Sequence, residues 1–189
     1  MSIKVAVFVG SLREGSSTKA IADNIIAMLP ENYSAQLIEI GDLPHYDPYY
    51  EENLPESWVR FREQVGNADA ALFFTPEYNR SFPGFLKNAI DIGSRPFGSG
   101  SLSGKPAAVV SVSYGALGGF GANQHLRQVL VCLDMPVLAQ PEMYISNAPT
   151  LLDQDEKVNN VETLAFFKTF VDAFTDHVER NISEDAATA

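Results

Sequence analysis

Segments with the pattern of β-strands alternate with segments with the pattern of α-helices along the whole chain, and two of the strands are almost entirely apolar. Residues 70–74 carry only Ala, Leu and Phe, and residues 107–112 carry only Ala and Val apart from Ser111. A strand without polar alternation is typical of a parallel sheet whose two faces are both covered by helices. The chain is therefore predicted to be an α/β protein with a doubly wound parallel sheet.

The predicted elements follow one another without a linker. Strands are expected over residues 3–9, 35–40, 68–75, 107–112 and 135–138, and helices over residues 18–29, 55–65, 86–92, 121–133 and 156–178. The 189 residues suit a single domain. We expect this domain to span residues 1–180 and residues 181–189, which are mostly small and polar, to form a disordered tail.

Charge and composition disfavour two classes of partner. Thirteen Lys and Arg against 24 Asp and Glu give a formal net charge of −11, whereas nucleic-acid binding requires a basic face. No stretch approaches the roughly 20 apolar residues of a membrane helix, so membrane insertion is not expected.

The single cysteine, Cys132, excludes an intramolecular disulfide and favours a cytoplasmic location. Its apolar neighbours Val131 and Leu133 predict a buried, unreactive thiol.

The turn between the first strand and the first helix predicts a phosphate site. It reads Gly10-Ser11-Leu12-Arg13-Glu14-Gly15-Ser16-Ser17-Thr18. In such sheets, ligands bind beyond the carboxyl ends of the strands, where the N–H groups of a helix N-terminus attract an anion. Ser16 replaces the Lys of a nucleoside-triphosphate P-loop. We therefore expect one terminal phosphate, held by the hydroxyls and by Arg13. Helix capping alone would explain the hydroxyls, but not the two glycines and the arginine.

The loop after the third strand predicts contact with a flat polar ring. It reads Thr75-Pro76-Glu77-Tyr78-Asn79-Arg80-Ser81-Phe82-Pro83-Gly84. Its prolines and glycine fix a turn whose backbone groups cannot all pair internally, and a flavin ring offers N–H and C=O groups that such a turn can bind. Glu77 is an acid, a cap of the next helix, or a partner of Arg80. No cluster of His, Cys and carboxylates has metal-ligand spacing, so no metal site is expected.

Together, these motifs resemble the NADPH-dependent FMN reductase family. The two motifs are Gly10-Ser11-Leu12-Arg13-x-Gly15-Ser16 and Pro76-Glu77-Tyr78-Asn79-x-Ser81-x-Pro83-Gly84-x-Leu86-Lys87-Asn88-Ala89-Ile90-Asp91. A third stretch runs from Ser113-Tyr114-Gly115 to His125-Leu126-Arg127-Gln128 and is similar to the quinone and chromate reductase branch of the family. The resemblance covers about residues 3–175.

The resemblance implies a flavodoxin-like, five-stranded parallel sheet of order 2-1-3-4-5, with FMN bound non-covalently. By position, the phosphate would be held by Ser11, Arg13, Ser16, Ser17 and Thr18. The isoalloxazine ring would be held by Pro76, Glu77, Tyr78 and Asn79, with Ser113, Tyr114 and Gly115 beside it.

The resemblance also implies an FMN-dependent NAD(P)H oxidoreductase that works in two half-reactions. NAD(P)H would deliver hydride to FMN N5 and leave, and a quinone-like or other small acceptor would then take two electrons at the same face. Because the cofactor carries the chemistry, no residue is assigned as catalytic. The alternative is a flavodoxin-type electron carrier that serves a protein partner. We further expect a homodimer or homotetramer.

Two groups of residues have more than one interpretation. His125 and Arg127 either lie on a helix surface or contact the nicotinamide phosphate or a neighbouring subunit. Five aromatic residues either rim a substrate pocket or form a subunit contact, where Tyr and Phe are enriched. These are Tyr46, Tyr49, Tyr50, Phe82 and Phe97.

Overall fold

Five parallel strands form one sheet in the computed structural model, which describes the backbone of residues 2–188 and the side chains of residues 2–182. The strands are β1 (Ile3–Val9), β2 (Tyr33–Leu37), β3 (Ala70–Thr75), β4 (Ala107–Val112) and β5 (Met143–Ile145). The helices are α1 (Ser17–Ile26), α2 (Glu56–Gly66), α3 (Gly84–Gly93), α4 (Phe120–Cys132) and α5 (Val161–Thr188). The strand order is β2-β1-β3-β4-β5, which confirms the predicted fold.

Each face of the sheet has its own apolar core. Helices α1 and α5 pack on one face, and helices α2, α3 and α4 pack on the other. Alternate residues of β3 supply both cores: Leu72 and Phe74 belong to the first, and Phe73 belongs to the second. This two-sided burial is the reason that β3 lacks polar residues, as the sequence pattern predicted.

The strand register brings three loops to one edge of the sheet. Val9 lies beside Phe74 at the ends of β1 and β3, and Thr75 lies beside Ser111 near the ends of β3 and β4. Because the strands are parallel, the chain leaves each of them at the same carboxyl edge. The loops that begin at residues 10, 76 and 113 are thereby neighbours, although they are far apart in sequence.

The prediction of a final strand over residues 135–138 is wrong. Val137 forms only an isolated bridge with Ala107, whose N–H donates to the Pro136 carbonyl. Pro136 has no N–H to donate to a ladder, which prevents regular pairing at this point. The chain passes the beginning of β4 and joins the sheet only at β5, beside the end of β4.

The last helix begins five residues later than the predicted boundary at residue 156. The Asn160 side chain accepts a hydrogen bond from the Thr163 N–H at 2.8 Å, so Asn160 caps a helix whose first residue is Val161. The preceding Val158 is buried, and its N–H donates to the Asn24 side chain of α1. These contacts hold residues 156–160 against α1 in a non-helical conformation.

Helix α5 continues to Thr188, past the predicted domain end at residue 180. The predicted tail, residues 181–189, lies largely outside the side chains that the structure describes, so its disorder stays a prediction. The proposed domain limit of residues 1–180 likewise stays a prediction. Among the described residues, no helix combines the length and apolar character needed to cross a bilayer.

Candidate functional site

A cleft of about 300 Å³ at the carboxyl edge of the sheet brings together three loops. It is lined by Ser11, Arg13, Ser16, Ser17, Thr18, Pro76, Glu77, Tyr78, Val112, Ser113 and Tyr114. All the residues predicted to bind a cofactor are in this set except Asn79 and Gly115, which lie in the same loops. Val112 was not predicted. Val112 is the last residue of β4, and ligands of parallel sheets bind beyond the carboxyl ends of the strands. Its position at the end of a predicted strand could therefore have indicated that it lines the cleft.

The loop between β1 and α1 carries backbone donors without acceptors. Within the described part of the chain, the N–H groups of residues 11–16 donate to no protein atom. The N–H groups of Ser17 and Thr18 begin α1 and have no partner within that helix. The first turn of α1 contains no acidic residue. Free amides, hydroxyls and a helix N-terminus form a donor set that fits a phosphate group.

Two glycines shape this loop. A Cβ on Gly10 would lie 3.1 Å from Leu86 Cδ2 and 3.3 Å from the Phe74 carbonyl oxygen, so a side chain here would require these neighbours to shift by a few tenths of an ångström. Gly15 has a φ of +64°, in the left-handed region that glycine adopts without steric cost. Ser16 then caps α1, because its Oγ accepts a hydrogen bond from the Lys19 N–H.

Arg13 reaches across the mouth of the cleft. Its Nη1 donates to the Tyr114 hydroxyl at 3.4 Å, which joins the first loop to the loop after β4. Both residues are exposed, and no carboxylate forms an ion pair with Arg13 within the described residues. Its positive charge is therefore available to an anionic group in the cleft.

The loop between β3 and α3 contains a two-residue hairpin turn. Tyr78 and Ser81 exchange two backbone hydrogen bonds of 2.7 and 2.9 Å, and Asn79 and Arg80 between them have φ values of 51° and 67°. Two consecutive positive φ values define a type I′ turn. Tyr78 is 54% exposed and lines the cleft with its ring unburied. The turn therefore presents a stiff backbone edge and one aromatic side chain.

Glu77 connects this turn to α4. Its Oε2 accepts a hydrogen bond from the Ala122 N–H at 3.1 Å, and its Oε1 accepts one from Arg80 Nη1 at 3.3 Å. The predicted pairing with Arg80 is thus found, whereas the prediction that Glu77 caps the next helix in the chain is wrong. The capped helix is α4 rather than the next helix in the chain, because the sheet order places the N-terminus of α4 beside this turn.

The third wall of the cleft is held by the segment that includes β5. The Ser113 N–H donates to the Ile145 carbonyl at 2.8 Å, and the Gly115 N–H donates to the Ser113 Oγ at 3.1 Å. A Cβ on Gly118, which has a φ of +60°, would lie 2.7 Å from the Tyr144 backbone. This close approach requires glycine and fixes the loop against β5.

His125 and Arg127 have different environments. His125 Nδ1 and Ser81 Oγ are 2.8 Å apart, so His125 supports the hairpin turn from α4. Arg127 donates to Asn123 Oδ1 and to the Leu138 carbonyl, and burial lowers the pKa of its guanidinium. Neither residue lines the cleft. Arg127 holds the segment before β5 in place, a role that its position on a helix did not predict.

The predicted aromatic rim of the cleft is not formed by the tyrosine-rich loop. Tyr46 and Tyr50 pack on Trp58, each with a ring-centroid distance of 5.5 Å. The loop is also held by Arg62, which hydrogen-bonds Glu51 and thereby lowers the pKa of that carboxyl. None of the five aromatic residues discussed above lines the cleft. Whether the exposed members rim a substrate pocket or form a subunit contact stays a prediction.

The prediction that Cys132 is buried is wrong, since its side chain is exposed. Leu126 and Leu130 face the core from α4, and successive helical residues are separated by about 100°. Cys132 consequently lies on the outer face, beside a groove of about 470 Å³ between α3 and α4, and Val131 is also exposed. The apolar run around Cys132 did not reveal which of its residues face outward.

Known proteins share both the sequence and the fold. A model of the family described as NADPH-dependent FMN reductase matches residues 3–150, which include all three loops of the cleft. The chain is 52% identical over 178 residues to a quinone reductase of Pseudomonas putida, covering 94% of this chain and 95% of the relative. It is 41% identical over 174 residues to a 2-hydroxy-1,4-benzoquinone reductase of a Burkholderia species, covering 92% and 95%.

A solved structure has the same architecture throughout. FerB, a flavoenzyme NAD(P)H:(acceptor) oxidoreductase from Paracoccus denitrificans, matches with a TM-score of 0.90 at 38% sequence identity. The match covers 95% of this chain and 98% of FerB. The likeness therefore extends over the sheet, the helices and the edge at which the cleft lies.

Proposed function

We infer the function from one premise: the chain belongs to the NADPH-dependent FMN reductase family. It is an FMN-dependent oxidoreductase that takes electrons from NAD(P)H and passes them to quinones. Both curated relatives described above are named as reductases of quinones. The observation that carries this conclusion is the cleft itself, which joins a phosphate-binding donor set to a stiff turn with an exposed aromatic side chain.

We propose a division of the cleft into two ends. Ser11, Arg13, Ser16, Ser17 and Thr18 hold the phosphate of FMN, and Pro76–Asn79 with Ser113–Gly115 hold its ring. The free amides of residues 11–16 and the unpaired charge of Arg13 support the first assignment. The rigid hairpin turn, with Tyr78 on the cleft, supports the second.

When bound, FMN supplies the redox chemistry, because it can accept a hydride from NAD(P)H and give two electrons to the acceptor. The residues of the chain bind and orient the participants. Arg13 and the hydroxyls anchor one end, and the turn at residues 76–81 limits movement at the other. Tyr78 and Tyr114 are more than half exposed, so they leave an opening through which flat nicotinamide and quinone rings enter in turn.

An anaerobic reduction experiment tests this function. The protein, saturated with FMN, is mixed with one equivalent of NADPH, and the flavin absorbance is followed. We expect rapid bleaching, and recovery of the colour when a benzoquinone is added. A flavin that is bound but stays oxidised until a protein reductase is supplied would support an electron carrier instead. A chain that takes up no FMN contradicts the proposal.

The acceptor range needs a separate measurement. We propose quinones as the preferred acceptors, with chromate as a further one, by similarity to the quinone and chromate reductase branch. Steady-state rates with benzoquinones, chromate, azo dyes and free flavin, each with NADH and with NADPH, test this order. The largest kcat/KM should belong to a benzoquinone, and a panel in which free flavin is fastest contradicts it.

We also propose that the protein is a homodimer or homotetramer located in the cytoplasm. Phe97 is 90% exposed beside the groove between α3 and α4, and Val131 of α4 is 64% exposed. Exposed apolar side chains of this kind favour association. The exposed thiol of Cys132 is compatible with a reducing compartment. Light scattering of the purified protein and cell fractionation test the two statements.

A further inference from the structure

We infer that Glu77 is a positioning residue whose carboxylate ties the turn at residues 76–81 to the N-terminus of α4 and so holds two walls of the cleft together. The inference rests on the proposed function, because the walls in question are those that would hold the flavin ring. Pro76 and Tyr78 line one wall, and Ser113 and Tyr114 line the other, in the loop that leads into α4.

The N-terminus of α4 has no cap of its own. Its N-cap residue, Gly119, has no side chain, and the first turn of the helix contains no acidic residue. The N–H of Ala122, the third residue of α4, is one of the groups that an isolated helix leaves without a partner. Glu77 supplies both the missing acceptor, at 3.1 Å, and the negative charge that the helix dipole favours at this end.

The contact is close enough to restrict the neighbouring sequence. A Cβ on Gly121 would lie 3.0 Å from Glu77 Oε2 and 3.0 Å from the Arg80 carbonyl oxygen. A side chain at this position would require the Arg80 backbone and the Glu77 carboxylate to shift by a few tenths of an ångström. Glycine at position 121 therefore allows the turn to pack closely against α4.

Both carboxylate oxygens of Glu77 are occupied by donors. Oε2 accepts from Ala122, and Oε1 accepts from Arg80, whose side chain is 74% exposed, whereas that of Glu77 is only 15% exposed. A carboxylate offers one acceptor oxygen to each of these donors. The geometry points to a group that positions the turn.

The test compares Glu77→Ala, which removes the tie, with Glu77→Gln, whose amide oxygen can still accept from Ala122. We expect Glu77→Ala to weaken both FMN and riboflavin binding by about 10-fold or more, and to change the visible circular dichroism of the bound flavin. Glu77→Gln should recover most of the affinity and the spectrum. In the flavin-free protein, amide hydrogen exchange at Ala122 should be faster in Glu77→Ala than in the parent.

A second variant approaches the same contact from the helix side. Gly121→Ala should also weaken flavin binding, and its additional effect should be smaller in the Glu77→Ala background, because one of its two close contacts is then gone. If Glu77→Ala does not fold, Gly121→Ala in the parent background and Glu77→Gln decide the question. Glu63→Ala, on the exposed face of α2, is the matched control and should bind flavin like the parent.

Three outcomes would overturn the inference. They are parent-like flavin affinity and dichroism in Glu77→Ala, unchanged exchange at Ala122 in that variant, and a Glu77→Gln variant as impaired as Glu77→Ala. A parent protein that binds no flavin overturns the proposed function and the positioning role with it. The exchange rate at Ala122 is measured without flavin. It therefore shows whether Glu77 binds the Ala122 N–H even if the protein binds no flavin.

Discussion

The two loops at opposite ends of the cleft are built in contrasting ways. The loop at residues 11–16 keeps its backbone N–H groups free of protein acceptors, and its ends are fixed by β1 and by α1. The turn at residues 76–81 pairs its backbone with itself and its side chains with α4, through Glu77 and Ser81. One region thus presents unsatisfied donors, and the other presents a fixed shape.

The difference has a physical reason. A phosphate supplies enough acceptors to satisfy several amides at once, so the first loop can leave them unpaired near the surface until the ligand binds. The turn contains two residues at positive φ, a conformation that costs energy for Asn and Arg. Cross-links to α4 stabilise that conformation whether or not a ligand is bound.

Riboflavin separates the two regions experimentally, because it has the ring of FMN without the phosphate. Variants of the first loop should weaken FMN binding and leave riboflavin binding unchanged. Variants of the turn should weaken both to the same extent. Each prediction below is measured by fluorimetric titration of the apoprotein with both flavins.

Arg13→Ala is expected to have the largest effect. Loss of a hydrogen bond to a charged group should weaken FMN binding by about 1.5–3 kcal/mol, with riboflavin binding and thermal stability unchanged because Arg13 is exposed. The FMN loss should shrink as salt is raised, since screening already weakens the ion pair in the parent. If Arg13→Ala retains FMN as tightly as the parent, the phosphate assignment is wrong.

Ser16→Ala is expected to have a smaller effect on two properties. Removal of the cap of α1 should lower the free energy of unfolding by about 0.5–2 kcal/mol, measured by urea denaturation, and FMN binding should also weaken. Ser17→Ala is the control, because the Ser17 hydroxyl forms no hydrogen bond within the described residues. It should weaken FMN binding alone, and equal stability losses in both variants would contradict the assignment of the cap.

Ser81→Ala is expected to have the smallest effect, and to affect both flavins. It removes the contact between Ser81 Oγ and His125 Nδ1, which should cost about 0.5–1.5 kcal/mol of stability. A double-mutant cycle with His125→Ala should show that the two losses are not additive. A loss of FMN affinity with riboflavin affinity intact would show that the turn also serves the phosphate, and the contrast between the regions would fail.

The fold was predictable because its signals are local. The apolar run at residues 70–74 required burial on both faces, and the glycines and hydroxyls at residues 10–18 required a turn followed by a capped helix. These signals do not depend on any distant part of the chain. The parallel sheet, its helices on both faces and the position of the cleft at its edge all followed from them, and the resemblance added the strand order.

The errors share a different cause. The segment at residues 135–138 has strand composition, but Pro136 and the position of β4 allow only one bridge there. Residues 156–160 follow a helical pattern, but the Asn24 side chain of α1 binds the Val158 N–H in a non-helical conformation. Cys132 has apolar neighbours, but the orientation of α4 turns it outward. In each case, a partner distant in sequence decided the outcome.

The sequence alone therefore determined the class of fold, the edge of the sheet at which the cleft lies and the glycine- and hydroxyl-rich character of the first loop. Only the tertiary structure decided which hydrogen-bond partners the side chains of the second loop have. Whether Glu77 meets Ala122 and whether Ser81 meets His125 depend on the placement of α4 beside the turn after β3, more than 40 residues along the chain. Hydrogen bonds act over about 3 Å, so such pairs exist only after the sheet order has brought their elements together.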